Sequence, residues 1–250
     1  MSNAVSDQQK ALERALHPEF RKYVTALEDI IDMAQTLTPS PEDLRAFIDE
    51  DEEWKEAWSW ALSVLENNRV SCLGGNAYGV PFLHPDVARN LMIQGIAMGE
   101  EHGWKPNDEE EEPYQIPEIV VSHYNQRFHD LLAAQAKYLD IWHLILYQTI
   151  PEKTTSIQFT KYDAEETDHG NWHHDKCSDF TAVVSLNPGD FVGGGTDLRV
   201  TPVEFLTVPP LPAGFALLLN GKQLQHRGRK VEQGTRYLLT FWMESGSELA

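Results

Sequence analysis

The last hundred residues constrain the fold most. Short runs rich in β-branched and aromatic side chains alternate there with Gly and Pro turns, over residues 155–162, 179–186, 205–208, 214–219 and 236–243. Strands of that pitch suit a sandwich or jelly-roll barrel. Upstream the apolar period lengthens from two to three and four. Leu12, Leu16, Tyr23, Leu27, Ile30 and Ile31 fall on one helical stripe, interrupted near Pro18. Ser40-Pro41-Glu42-Asp43 is a helix start: a capping hydroxyl, a proline suited to the first turn, and acids at the positive dipole end. The helix that follows is expected to run to about Glu66, with Trp54, Trp58 and Leu65 as packing anchors. Gly74-Gly75-Asn76 marks a loop. A further helix follows His84-Pro85-Asp86 and carries Val87, Leu91, Gly95 and Met98 on one side. A polar, acidic loop covers about 103–117. One long helix is expected over 125–146, through Phe128, Leu131, Leu132, Leu139, Trp142 and Leu146, with Gln135 as its polar interruption. Helices followed by strands make the class α+β.

Composition narrows the function. The chain of 250 residues carries 39 acidic against 20 basic side chains, a formal net charge of -19. Such a field repels phosphate backbones and anionic lipid, so neither nucleic acid nor membrane is an expected partner; it would favour a cationic partner, while solubility alone is the plainer reading of the same charge. The acidic runs 49–53 and 108–112 read as solvated faces or loops. Cys72 and Cys177 are the two cysteines, which implies no disulfide framework. Met1-Ser2-Asn3-Ala4 opens a polar start without an apolar run, whether native or a vector remnant. A cytoplasmic location is the resulting expectation.

The chemistry centres on Asn171-Trp172-His173-His174-Asp175. His173 and Asp175 are two apart, so on an extended strand both would point to one face. With a second histidine from elsewhere they would form a two-histidine, one-carboxylate set, which suits iron(II) and leaves coordination positions open. His226 is the candidate, and Arg236 follows it on the run 236–242. Arg236, Leu238, Thr240 and Trp242 would share one face of that strand, and Tyr237, Leu239 and Phe241 the other. A buried guanidinium needs a partner, and a carboxylate can take it with two parallel hydrogen bonds. Gln158, Thr160 and Tyr162 form a polar strand face opposite Ile157 and Phe159.

The ordered set Lys161-Tyr162-Asp163, His173-His174-Asp175, Ser185-Leu186-Asn187, Phe191-Val192-Gly193-Gly194-Gly195, His226 and Gly234-Thr235-Arg236-Tyr237 carries a family likeness. Over these stretches the chain resembles the prolyl 4-hydroxylase-like branch of the iron(II)/2-oxoglutarate-dependent dioxygenases. In motif pattern it looks most like the catalytic domain of the collagen lysyl hydroxylases. Weaker similarity reaches back through Gly79-Val80-Pro81-Phe82-Leu83 and Ile119-Val120-Val121-Ser122-His123, while the first seventy residues lack a counterpart. The resemblance implies a double-stranded β-helix, or jelly roll, flanked by helices, in a domain over 71–250 preceded by a helical extension over 1–70. It implies Fe(II) held by His173, Asp175 and His226, and 2-oxoglutarate held by Arg236 with help from Tyr162 and Asn187. The implied reaction couples oxidative decarboxylation, giving succinate and CO2, to hydroxylation of an unactivated carbon, with dioxygen as oxidant and ascorbate as a candidate reductant. A carboxylate at Asp175, where related halogenases have a small residue, favours hydroxylation.

Other residues read more plainly. His174 should face away from the ligands; His123, His129 and His143 belong to helices or surface, and His169 to a solvated loop. Cys177 reads as a small buried hydrophobe. The glycines 193–195 suit a tight strand turn, because no Gly-Lys-Ser/Thr follows as a phosphate loop would require. Trp172 fits either the wall of an entrance or core packing. Three functions therefore compete: a hydroxylase of an amino-acid side chain, lysine-like or proline, free or in a peptide; the same chemistry on a secondary metabolite; and an inactive jelly-roll binding module. Oligomeric state is not legible.

Overall fold

A computed structural model describes residues 6–67, 77–108 and 110–246. The chain opens with α1 (Asp7–Ala15), α2 (Pro18–Arg21), α3 (Val24–Leu37), α4 (Pro41–Glu50) and α5 (Glu52–Asn67). Next come β1 (Ala77–Pro81), α6 (Pro85–His102), β2 (Lys105–Pro106), β3 (Pro117–Val120), α7 (Val121–Tyr124), α8 (Gln126–Ala136) and α9 (Asp140–Tyr147). The strand-rich part holds β4 (Lys153–Asp163), β5 (Phe180–Ser185), β6 (Phe191–Gly193), β7 (Thr196–Arg199), β8 (Phe205–Val208), β9 (Phe215–Leu219), β10 (Gln225–Gly228) and β11 (Val231–Glu244).

Two expected helices are each divided. The helix expected from Ser40 breaks at Asp51, which is extended (φ -116°, ψ 119°). Its carboxylate accepts from the Glu53 and Trp54 amides, so this acid caps a second helix instead of continuing the first. The helix expected over 125–146 is divided by a 3-10 turn, Lys137–Leu139, and Trp142 of α9 is fully buried, as expected. Leu131, expected on the apolar face, stays 42 % exposed. The Ser40 cap and Pro41 start form as expected, and Gly95 of α6 lies directly against the Phe159 ring. The expected loop at Gly74-Gly75-Asn76 lies outside the described residues.

Antiparallel pairing links β1-β9-β5-β11-β4-β3-β2 into one sheet, with β6 also paired to β11. A second sheet has the order β10-β7-β8. This is the expected α+β jelly roll with flanking helices. Strand β11 is its hub: Arg236 pairs with Tyr162 of β4, and Leu238 with both Thr160 of β4 and Ser185 of β5. Alternation then sorts the side chains of β4 and β11. Ile157, Phe159, Leu239 and Phe241 enter the hydrophobic core under the helices. Gln158, Thr160, Tyr162, Arg236, Leu238, Thr240 and Trp242 face the cavity between the sheets.

The core extends through the N-terminal helices. Leu16, Phe20, Leu27 and Ile30 belong to the same buried cluster as Val184, Leu218 and Phe241. Rings of Phe20, Tyr23, Trp60 and Trp142 pack at centroid separations of 5.0–5.9 Å, which anchors α2 and α5 to α9. His143 is buried between Tyr147 and Phe180, and burial drives its imidazole down to about 3, so it is a neutral structural residue.

Asp140, at the start of α9, is 8 % exposed, and burial pushes its carboxyl up to about 7 against a weaker pull from Lys137. Between the unfolded pKa of 3.8 and that value the native state holds a proton that the unfolded chain has released. Stability from this site is therefore full below pH 3.8 and lost as pH rises through 7. Asp140→Asn is expected to stabilise the protein at pH 8 by on the order of 2–4 kcal/mol and to change little at pH 3.5. Urea titrations at the two pH values check the sign.

Candidate metal and cosubstrate site

The sites of His173 and Asp175 depart from the strand expected for them. His173 forms an isolated antiparallel bridge with His226, and the residues around it are irregular. Three backbone bonds set the geometry: the amides of His173 and His226 each donate to the other's carbonyl at 3.0 Å, and the Asp175 amide donates to Gly221 O at 2.9 Å. This suffices to put His173, Asp175 and His226 side by side, while His174 is exposed on the outside.

The two imidazoles are oriented alike. His173 Nδ1 lies 2.9 Å from Asn171 O, and His226 Nδ1 lies 2.9 Å from Leu224 O. With a proton on each Nδ1, both Nε2 atoms present lone pairs inward. They approach Asp175 from two sides, at 3.6 Å to Oδ1 and 3.6 Å to Oδ2. Those separations exceed a hydrogen bond but suit donors shared by one ion. One ligand atom from each residue lies within 4.8 Å of the others, and no other His/Cys/Asp/Glu group among the described residues meets that test. Burial pushes the His226 imidazole below its usual range, against the pull of Asp175, which keeps it in the neutral form that binds metal.

Thr181, missed in the sequence, steadies the carboxylate: its hydroxyl donates to Asp175 Oδ2. The signal was available in the alternation of β5, where Thr181 and Val183 turn to the cavity. Gly221 closes over the same group. A Cβ there would stand 2.7 Å from Asp175 Oδ2 and 2.5 Å from Thr181 Oγ1. Gly221→Ala must therefore displace the ligand, and divalent-metal affinity is expected to fall about 10–100-fold. Calorimetric titration with Mn(II) or Co(II) checks this.

Arg236 occupies the cavity floor, 5 % exposed. Its Nη1 donates to Gly195 O at 2.6 Å, and its guanidinium carbon lies 5.5 Å from the Tyr162 ring centroid. Burial drags its pKa down to about 10, with Tyr162 the one group pulling it back. A guanidinium so placed fits an incoming carboxylate. Tyr162 shares the cavity wall, and burial raises its phenol above the usual range. Asn187 is placed differently. It is buried behind β11, where Nδ2 donates to Thr235 O at 2.9 Å and Oδ1 accepts from the Tyr237 amide at 2.8 Å. It brackets Arg236 in sequence without lining the cavity.

The remaining residues fall into place. Cys177 is exposed, contrary to the buried position expected, because it sits in the turn after Asp175. Cys72 lies outside the described residues. The glycines 193–195 all have positive φ (80°, 69°, 96°) and join β6 to β7, as a tight turn requires. Trp172 packs under Arg227, at 4.7 Å, and beside Phe205, outside the cavity lining. His169 meets Tyr114 edge-on and contacts Asp168.

No protein-family model and no curated protein matches the chain. Solved structures do. A prolyl-4-hydroxylase from Pseudomonas putida aligns over 75 % of this chain and 100 % of its own, with a TM-score of 0.58 and 17 % identity. A non-heme alpha-ketoglutarate-dependent carbocyclase from nogalamycin biosynthesis covers 74 % and 83 %, with TM-score 0.56 and 13 % identity. A Trichoplax adhaerens prolyl hydroxylase, in complex with a hypoxia-inducible-factor peptide fragment, covers 78 % and 94 %, with TM-score 0.53 and 12 % identity. At such identities the likeness shows the fold, that of the prolyl 4-hydroxylase-like oxygenases. It lends nothing to the lysyl hydroxylase likeness read from the motifs.

Proposed function

We propose that the chain is an iron(II)- and 2-oxoglutarate-dependent dioxygenase that hydroxylates an amino-acid side chain, free or in a peptide. One observation carries the reading. Two inward imidazoles and a carboxylate converge where one ion would sit, and a buried guanidinium faces the same cavity with no ion pair among the described residues. Such a donor set suits iron(II), and the guanidinium suits the free carboxylate of a diacid. Iron and 2-oxoglutarate, when bound, supply dioxygen activation coupled to loss of CO2 and formation of succinate.

The chain's own residues bind and orient. His173, Asp175 and His226 would hold the ion, with Thr181 fixing the carboxylate. Arg236 grips the distal carboxylate, and Tyr162, kept protonated by burial, donates a hydrogen bond beside it. Asn187 positions rather than touches: it ties down the strand that aims Arg236. Leu238, Val183 and Trp242 supply apolar wall that limits water near the reacting carbon.

The test is direct. Iron-loaded protein with 2-oxoglutarate, ascorbate and a panel of lysine and proline peptides and free amino acids should release substrate-stimulated succinate and add one oxygen mass. No stimulation by any amino-acid substrate counts against that substrate class. The fold shared with a carbocyclase acting in nogalamycin biosynthesis favours a second reading, in which a secondary metabolite takes the cavity. Oxygen insertion into a metabolite but no peptide would select it. Iron binding without any succinate would instead indicate a binding module.

A further inference from the structure

We propose that the mouth of this cavity selects a substrate with a positively charged group, with Glu110 as the carboxylate that meets it. The inference rests on the oxygenase reading and names its substrate class. Within the acidic run 108–112, Glu110 is not merely part of a solvated face. Its segment crosses the cavity, where Asn107, Glu110, Tyr114 and Ile116 contribute lining. It is fastened to the stretch that leads to His173. Asn171 Nδ2 donates to Glu110 Oε2 at 3.4 Å, Thr167 Oγ1 to Gln115 O at 3.4 Å, and the rings of Tyr114 and His169 meet at 5.3 Å. Glu110 is half-buried within the lining, while Asp108, Glu111 and Glu112 are exposed beside it.

The charges around this mouth do not cancel from within. Lys161 pairs with Glu166 at 2.8 Å, Lys230 with Asp168 at 3.1 Å, and Arg227 and Arg229 with Asp197 at 3.1 and 3.3 Å. Glu110's own side-chain contact is a neutral amide. Deeper in, Arg236 is the one Lys or Arg among the lining residues, and a dicarboxylate cosubstrate would claim it. A divalent ion and that dicarboxylate cancel, as do Arg236 and Asp175. The outer cavity is left with Glu110, and with Asp108, Glu111 and Glu112 exposed beside it. An ammonium or guanidinium approaching the ion passes this wall, and a partly desolvated carboxylate discriminates strongly by charge.

The experiment uses one peptide scaffold with a central lysine, norleucine, arginine, citrulline or glutamate, assayed by succinate release and oxygen mass gain. The lysine or arginine peptide is expected to exceed its neutral isostere in kcat/KM by about tenfold or more, with the margin shrinking at high salt. Glu110→Lys is expected to cut turnover of the cationic peptide by about tenfold and to move preference toward glutamate, an inversion that a merely structural role would not produce. Equal or better turnover of neutral peptides by the unaltered protein overturns the inference. So does silence of every cationic probe, or a lysine preference that survives Glu110→Lys. Iron titration and 2-oxoglutarate-induced thermal stabilisation, measured without any substrate, test the underlying reading separately. If both hold while the panel shows no charge preference, only the inference about the substrate falls.

Discussion

Asp175→Ala protein is expected to lose at least about a hundredfold in divalent-metal affinity and to show no detectable 2-oxoglutarate turnover. Asp175 is the element shared by both imidazoles, with one carboxylate oxygen 3.6 Å from each Nε2. Without it, two imidazole rings remain at a centroid separation of 4.4 Å, and the carboxylate of the ligand group is gone. Removing an outer partner of a metal ligand already costs about 10–100-fold, so removing a ligand costs more. The fold should survive, because the local structure is held by backbone bonds between His173 and His226 and from Asp175 N to Gly221 O. A melting temperature within a few degrees of the unaltered protein, with a flat metal isotherm, is the expected pair of results. Metal binding and turnover that persist in Asp175→Ala would remove the triad from the mechanism.

Four strands of the main sheet, β4, β5, β9 and β11, were legible as short apolar runs between turns, and in β4, β5 and β11 alternation separates core from cavity. Strands β1, β2, β3, β6, β7 and β10 were not. Gln225-His226-Arg227-Gly228 has no β-branched or apolar residue and becomes a strand through pairing with β7. His226 could therefore be chosen from its order within a motif set, but not from local pattern. His173 and Asp175 lie on no strand; a single bridge and a loop bring their side chains to one side. Asp51 and Lys137–Leu139 show the converse. Neither contains a strong helix breaker, and capping at one and tertiary packing at the other decide the divisions. The acidic run 108–112 was visible in the sequence, but only long-range contacts bring it to the cavity mouth.

Arg236→Met separates stability from function. At pH 7 the guanidinium is charged in both folded and unfolded states, so the burial that lowers its pKa to about 10 is a standing cost, on the order of 3 kcal/mol. The sign follows from linkage. The unfolded chain holds the proton to higher pH, so stability would rise only as pH climbs above about 10. Methionine removes the cost but forfeits the bond to Gly195 O and the stacking on Tyr162, each worth about 1 kcal/mol. The balance predicts a variant more stable without cosubstrate by about 1 kcal/mol, or about 2–4 °C in Tm. The response to 2-oxoglutarate should move the other way. With metal present, the unaltered protein gains about 2.7 kcal/mol at a hundredfold excess over Kd, whereas Arg236→Met gains almost nothing there. Loss of a buried partner to a carboxylate costs about 2–5 kcal/mol, so kcat/KM for 2-oxoglutarate is expected to fall at least about thirtyfold. Thermal melts of both proteins with and without the diacid read the two effects in one experiment. A variant that is destabilised on its own yet still stabilised by 2-oxoglutarate would mean that Arg236 is a structural cation and that the diacid binds elsewhere.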